Sequence, residues 1–171
     1  MRRFAIAVLL AMLMLALAVS AAFADSPHFI SEGTASINSS GLYVVMKFKE
    51  AGLGSTVSTE AITLSVPSAT ATYACINGGG KHPSAANKET VTSPVSNTQS
   101  FSVRNGSTTG TISVGPPGPG SFSCPPGQTF VLAFVSYSGS STMPIELIGV
   151  AGDTSTEPNL SACLFPGVGI C

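Results

Sequence analysis

From Leu42 to Lys49 the chain alternates. Leu42, Val44, Met46 and Phe48 fall on one side, and Tyr43, Val45, Lys47 and Lys49 on the other. A period of two sends successive side chains to opposite faces of a strand, so this stretch predicts a strand with one buried face and Met46 in the core. Ile62, Leu64 and Val66 repeat the pattern and stop at Pro67. Thr70 to Ile76 is rich in β-forming residues and predicts the next strand. Phe101 and Val103 flank Ser102 in a short strand, Asn105-Gly106 supplies a hairpin turn, and Thr111 to Val114 is the expected returning strand. Phe130 to Tyr137 is the longest apolar run after the N-terminal segment. It predicts a central strand buried on both faces. Ile145 and Leu147, with Val150, suggest a last strand in which Glu146 points outward.

The connectors are rich in Gly, Pro, Ser and Asn. Ala51 to Gly54 reads as a turn, Asn77 to Lys88 as a longer loop, and two Pro/Gly segments, Gly115 to Gly120 and Pro125 to Gly127, flank Cys124. No amphipathic helix and no internal repeat stands out. Many short strands at regular spacing predict an all-β fold, an antiparallel immunoglobulin-like β-sandwich, with a small β-barrel as the alternative. The sandwich is expected over residues 25–152. Residues 153–171 carry weak structure signals and read as an irregular C-terminal tail held by a cysteine pair.

The N-terminus changes the picture. Arg2 and Arg3 precede an uncharged apolar run from Phe4 to Val19, and Ala22-Phe23-Ala24 has the small-x-small pattern of a signal-peptidase site. Residues 1–24 are therefore expected to be a cleaved signal peptide, and the protein to be secreted and extracellular. No other apolar run is long enough to span a bilayer, so no membrane attachment is expected after cleavage. Loss of the two arginines leaves five basic against eight acidic groups. Such a chain has no positive field to neutralise phosphates, which argues against nucleic-acid binding.

Four cysteines remain: Cys75, Cys124, Cys163 and Cys171. An even count in an exported chain suggests disulfides. Three pairings are possible, and the favoured one joins Cys75 to Cys124 and Cys163 to Cys171. The first bridge closes a loop of about 50 residues, worth roughly 4 kcal/mol in the chain-entropy picture. Zinc is the rival reading. There is no C-x-x-C, and His28 and His82 lie at no ligand spacing to a cysteine pair, so no metal site is expected.

Three stretches, FKEAGLG (Phe48 to Gly54), ATATYACINGGGKHPSAANKETV (Ala69 to Val91) and GPPGPGSFSCPPGQTFVLAFVSYS (Gly115 to Ser138), together resemble a family of small exported bacterial proteins with no assigned activity. The resemblance implies a secreted β-rich domain in which Cys75 and Cys124 are the paired cysteines. It implies no catalytic function. The tail departs from the family's pattern: the chain runs through Met143-Pro144 and ends SACLFPGVGIC.

Candidate chemistry is sparse. Ser is abundant but no G-x-S-x-G occurs, and neither His28 nor His82 has a visible nucleophile or orienting carboxylate. Glu32, Glu50, Glu60, Glu89 and Glu146 could supply a glycosidase pair, yet most sit beside polar or turn residues, where solvated carboxylates are expected. The Gly78–Gly80 run lacks the spacing and following helix of a phosphate-binding loop. Asp153 and Glu157 do not make a calcium loop, and no cofactor is expected. Trp is absent, and Tyr43, Tyr73 and Tyr137 read as strand residues, Tyr73 and Tyr137 in or near the core. Asn38, Asn105 and Asn159 match the glycosylation pattern by chance in a Ser-rich chain.

What remains is a non-catalytic binding or cell-surface protein, with a secreted hydrolase of cell-wall or environmental polymer as the second reading. Pairing of Cys75 with Cys124 would bring the Asn77–Pro83 loop beside the Pro/Gly loops. Lys81 and His82 would then be its polar contacts, Phe122 an apolar one, and a cell-envelope polymer or surface protein the partner.

Overall fold

A computed structural model describes residues 26–32, 34–77, 87–149 and 154–163. The expected signal segment and residues 164–171 lie outside them. The described residues form ten strands: β1 (His28–Glu32), β2 (Ser36–Ile37), β3 (Val44–Ala51), β4 (Thr59–Asn77), β5 (Lys88–Ser102), β6 (Ser107–Val114), β7 (Gln128–Ser138), β8 (Ile145–Ile148), β9 (Thr154–Glu157) and β10 (Leu160–Cys163). All pairings are antiparallel, and the two sheets stay open rather than closing into a barrel.

Each sheet is organised on one unbroken strand. In the four-stranded sheet β6 covers one edge of β3 along its whole length. β2 and β1 share the other edge, β2 on Val44 and Val45 and β1 on Phe48 to Ala51. In the six-stranded sheet β5 covers one edge of β4. The other edge is shared by β8, opposite Thr63 to Ser65, and β7, opposite Ser68 to Asn77. β9 and β10 extend these two outward. The core lies between the sheets: Val44, Met46, Phe48, Ile112 and Val114 face Ile62, Leu64, Val66, Ala71, Val135, Tyr137, Ile145 and Leu147.

The alternation expected for β3 is present, and Met46 is fully buried. The two strands expected on either side of Pro67 are one strand of nineteen residues. The register against β5 shifts between Val66 and Ala69, so one extra residue is accommodated there. Proline lacks an N–H and belongs where a ladder is broken; with Ser68 it forms a bulge. The bulge reverses the alternation: Ile62, Leu64 and Val66 face the core before it, Ala69, Ala71 and Tyr73 after it.

β5 departs most from expectation, since only its last residues were anticipated as a strand. Its inward positions Val91, Ser93, Val95, Asn97 and Phe101 mix apolar with polar residues, so no continuous apolar stripe forms. It is held instead by its ladder to β4 and by hydroxyl pairs on the outer face: Thr63–Thr98 at 2.8 Å, Thr70–Thr92 at 2.9 Å and Thr72–Thr90 at 3.1 Å. The Asn105-Gly106 turn forms as expected, with φ of 52° and 68°. The strand after it nevertheless pairs with β3 in the facing sheet rather than with β5. Asn97 Nδ2 donates to Ser113 O at 2.7 Å and closes the seam between the sheets.

Two further corrections concern the C-terminal half. β7 is internal to its sheet but not buried on both faces: Ala133, Val135 and Tyr137 are buried, Phe134 and Ser136 are half-buried, and Phe130 is 43 % exposed. Within the segment read as an irregular tail, Thr154–Glu157 and Leu160–Cys163 are strands, with inward Ser155 fully covered. Thr154–Glu157 has no apolar residue and Leu160–Cys163 only a brief alternation to recognise, but the free edges of β7 and β8 supply partners for their backbone groups.

Candidate binding surface at the aromatic end

Cys75, near the end of β4, is buried and bonded to Cys124 in the β6–β7 connection, with Cα atoms 5.6 Å apart. Cys163 is also disulfide-bonded. Cys171 lies outside the described residues. The Cys75–Cys124 bridge ties the Pro/Gly segment to the end of the sandwich where β4 and β6 finish and β7 begins.

An aromatic cluster is built around this bridge. Phe130 sits opposite Cys75 in the β4–β7 ladder, so both lie on the same face. Its ring stacks on Tyr73, with centroids 5.2 Å apart and planes 19° apart. Phe122, two residues before Cys124, is half-buried and places its ring 6.1 Å from Phe130. Tyr73 is itself buried and donates its hydroxyl to Pro117 O at 2.6 Å, which pins the Pro/Gly loop against β4. The rings of Phe122 and Tyr73 thus brace that of Phe130, which remains open to solvent.

Tyr43 adds a second exposed ring. It lies one residue ahead of β3 rather than inside a strand, and is 47 % exposed. Its ring rests over Gly41 and Gly115. A Cβ on Gly41 would lie 2.3 Å from the ring and one on Gly115 2.8 Å from it, so only glycine admits this seat. Tyr43 is also the electrostatic neighbour of Tyr73 and Tyr137. Burial, and then the neighbouring phenols, push the hydroxyls of Tyr73 and Tyr137 to higher pKa.

Polar groups beside the rings are mostly amides. Gln128, on the same face of β7 as Phe130, accepts from Asn87 Nδ2 at 3.1 Å through its Oε1. Asn77, the last residue of β4, is also opposite Gln128. Asn77 and Asn87, the described residues on either side of 78–86, therefore both meet this one residue. Lys81 and His82 fall between them in sequence, outside the described residues. Of the three binding residues expected from sequence, Phe122 is in the cluster. Phe130 and Tyr43 were missed.

The carboxylates are placed differently from expectation. Glu50 and Glu60, expected to be solvated, face inward and are 0 % and 6 % exposed. Burial denies them contact with a polymer substrate. Glu89 is exposed on β5, and Glu146 points outward from β8 as expected. Among the described residues no three His, Cys, Asp or Glu side chains cluster as metal ligands.

Fold and site together define an open antiparallel two-sheet sandwich with a disulfide-tied aromatic end. Compared with protein families, curated proteins and solved structures, the chain matches none.

Proposed function

We propose that the chain is an exported, non-catalytic sandwich domain that binds a neutral polysaccharide of the cell envelope through its aromatic end. The carrying observation is the pair of exposed rings, Phe130 and Tyr43, each seated on fixed structure: Phe130 on Tyr73, and Tyr43 over two glycines. A ring fixed before binding loses little conformational freedom on contact, which favours affinity. A sugar ring offers an apolar C–H face to such a platform, and hydroxyls to amides such as those of Asn87 and Gln128. In this reading Lys81 and His82, whose described flanking residues Asn77 and Asn87 both meet Gln128, contribute to binding the same ligand. The signal-like N-terminus, the disulfides and the resemblance to exported bacterial proteins support export. Loops gathered at one end also support an immunoglobulin-like use of the sandwich. The burial of Glu50 and Glu60 disfavours the hydrolase reading.

The test is retention of the oxidised protein from Asp25 to Cys171 on separated polysaccharide, peptidoglycan and protein fractions of the envelope. Saturable binding to polysaccharide, weakened about ten-fold or more in a Y43A/F130A variant that keeps its thermal stability, is the expected result. Retention on the protein fraction alone would replace the ligand class. Full retention by the double variant would remove the aromatic end as the site.

A further inference from the structure

A second site lies on the outer face of the six-stranded sheet. At the β4 bulge the surface opens into a cavity of about 450 Å³, a size suited to a small molecule. Pro67 and Pro94 line it from β4 and β5, Thr142, Met143 and Pro144 from the β7–β8 connection, and Ser65 and Glu146 from the paired strands β4 and β8. The site is independent of the aromatic end. Tyr73 is six positions beyond Pro67 along β4, or about 20 Å at 3.3 Å per residue.

Three features give this cavity a defined chemistry. Three prolines and a methionine make up most of its walls, with the hydroxyls of Ser65 and Thr142 among them, and a proline brings no N–H, so the contact offered is largely apolar with few donors. The wall formed by Met143 and Pro144 is held in shape. Ser140 N donates to Met143 O at 2.8 Å, Met143 N donates to Ser140 Oγ at 3.1 Å, and Gly139 N donates to Asn159 Oδ1 at 2.9 Å. The single charged lining group is Glu146. Its carboxylate receives no hydrogen bond or ion pair from any described residue. Its cross-strand neighbours in the sheet, Ser65 and Thr156, are uncharged. A half-buried carboxylate at an apolar cleft is complementary to a cation on an apolar body, and repels an anion of the same shape.

We propose that this cavity binds a small monocationic amphiphile, an alkylammonium ion whose chain lies along Pro67, Pro94 and Met143 and whose ammonium group meets Glu146. The cation is a modest contributor, because the site is open and salt screens it. The apolar walls supply the rest.

The test uses three probes of one shape, hexylammonium, hexanol and hexanoate, titrated into the isotope-labelled oxidised protein from Asp25 to Cys171 and followed by amide NMR. Hexylammonium is expected to give saturable shifts centred on Ser65, Thr142, Met143 and Glu146, with three- to five-fold tighter binding than hexanol and little response to hexanoate. In E146Q, and in wild type at high salt, the preference over hexanol should vanish while hexanol binding stays. Equal affinity for all three probes in wild type, or an unchanged preference in E146Q, would overturn the assignment. So would shifts centred on Phe122 and Phe130, or none that saturate.

Discussion

Tyr137 and Leu42 are 95 residues apart and joined by one buried hydrogen bond: the Tyr137 hydroxyl on β7 donates to Leu42 O at 2.6 Å. The bond crosses from one sheet to the chain entering the other. Leu42 has φ of 55°, a conformation unfavourable for a β-carbon residue, so the bond helps hold the segment that presents Tyr43. Replacing Tyr137 with Phe leaves a buried carbonyl without this donor, at a cost of about 1–3 kcal/mol. Denaturant unfolding should show the loss. The same tyrosine predicts alkaline sensitivity. Its folded pKa is raised by burial and by Tyr73 and Tyr43, so its contribution is complete below about pH 10 and is lost as pH rises from there towards the folded pKa. Melting temperature should fall above pH 10, and fall less in Y137F.

The Cys75–Cys124 bridge closes a long loop, and its removal should cost about 2–5 kcal/mol. A C75A/C124A variant is the cleaner comparison, because a reductant also opens the bond at Cys163. The midpoint of urea unfolding should shift accordingly. Envelope retention should drop even where the variant remains folded, since Phe122 and the Pro/Gly loop lose their tether.

Gly115 tests the seat of Tyr43. A methyl group there meets the outer atoms of the Tyr43 ring at 2.8 Å, and the ring is the part able to move. G115A should therefore displace Tyr43 at small cost in stability, within about 1 kcal/mol as expected for a surface change. The readouts are the Tyr43 ring resonances and binding to the envelope polysaccharide. An unchanged ring position would show that the contact is relieved elsewhere.

Sequence pattern revealed the class of fold and its best-alternating strands. β3 and β8 were legible because one face of each is apolar and the other is not. β4 was read in two pieces because Pro67 interrupts it and its inward positions change parity. β5 was not legible: as an outer strand it covers the core's rim with Ser93 and Asn97 as well as Val91 and Val95, so no apolar stripe exists to be seen. Phe122 was found through its neighbour Cys124. Phe130 was hidden in an unbroken apolar run, which does not say which end meets solvent. Tyr43 was hidden because its exposure depends on the positive φ of Leu42 and on a glycine more than seventy positions away.

The bulge at Pro67 and Ser68 gives β4 something like a reading frame. Everything downstream of it, from Ala69 to Cys75, is aimed by a single inserted position. Deleting that position would turn Tyr73 and Cys75 to the opposite side of the sheet, away from Phe130 and Cys124, although none of these four residues would be altered. The chain thus sets the orientation of its aromatic end by a count made midway along a strand, at the same place where β8 gives way to β7.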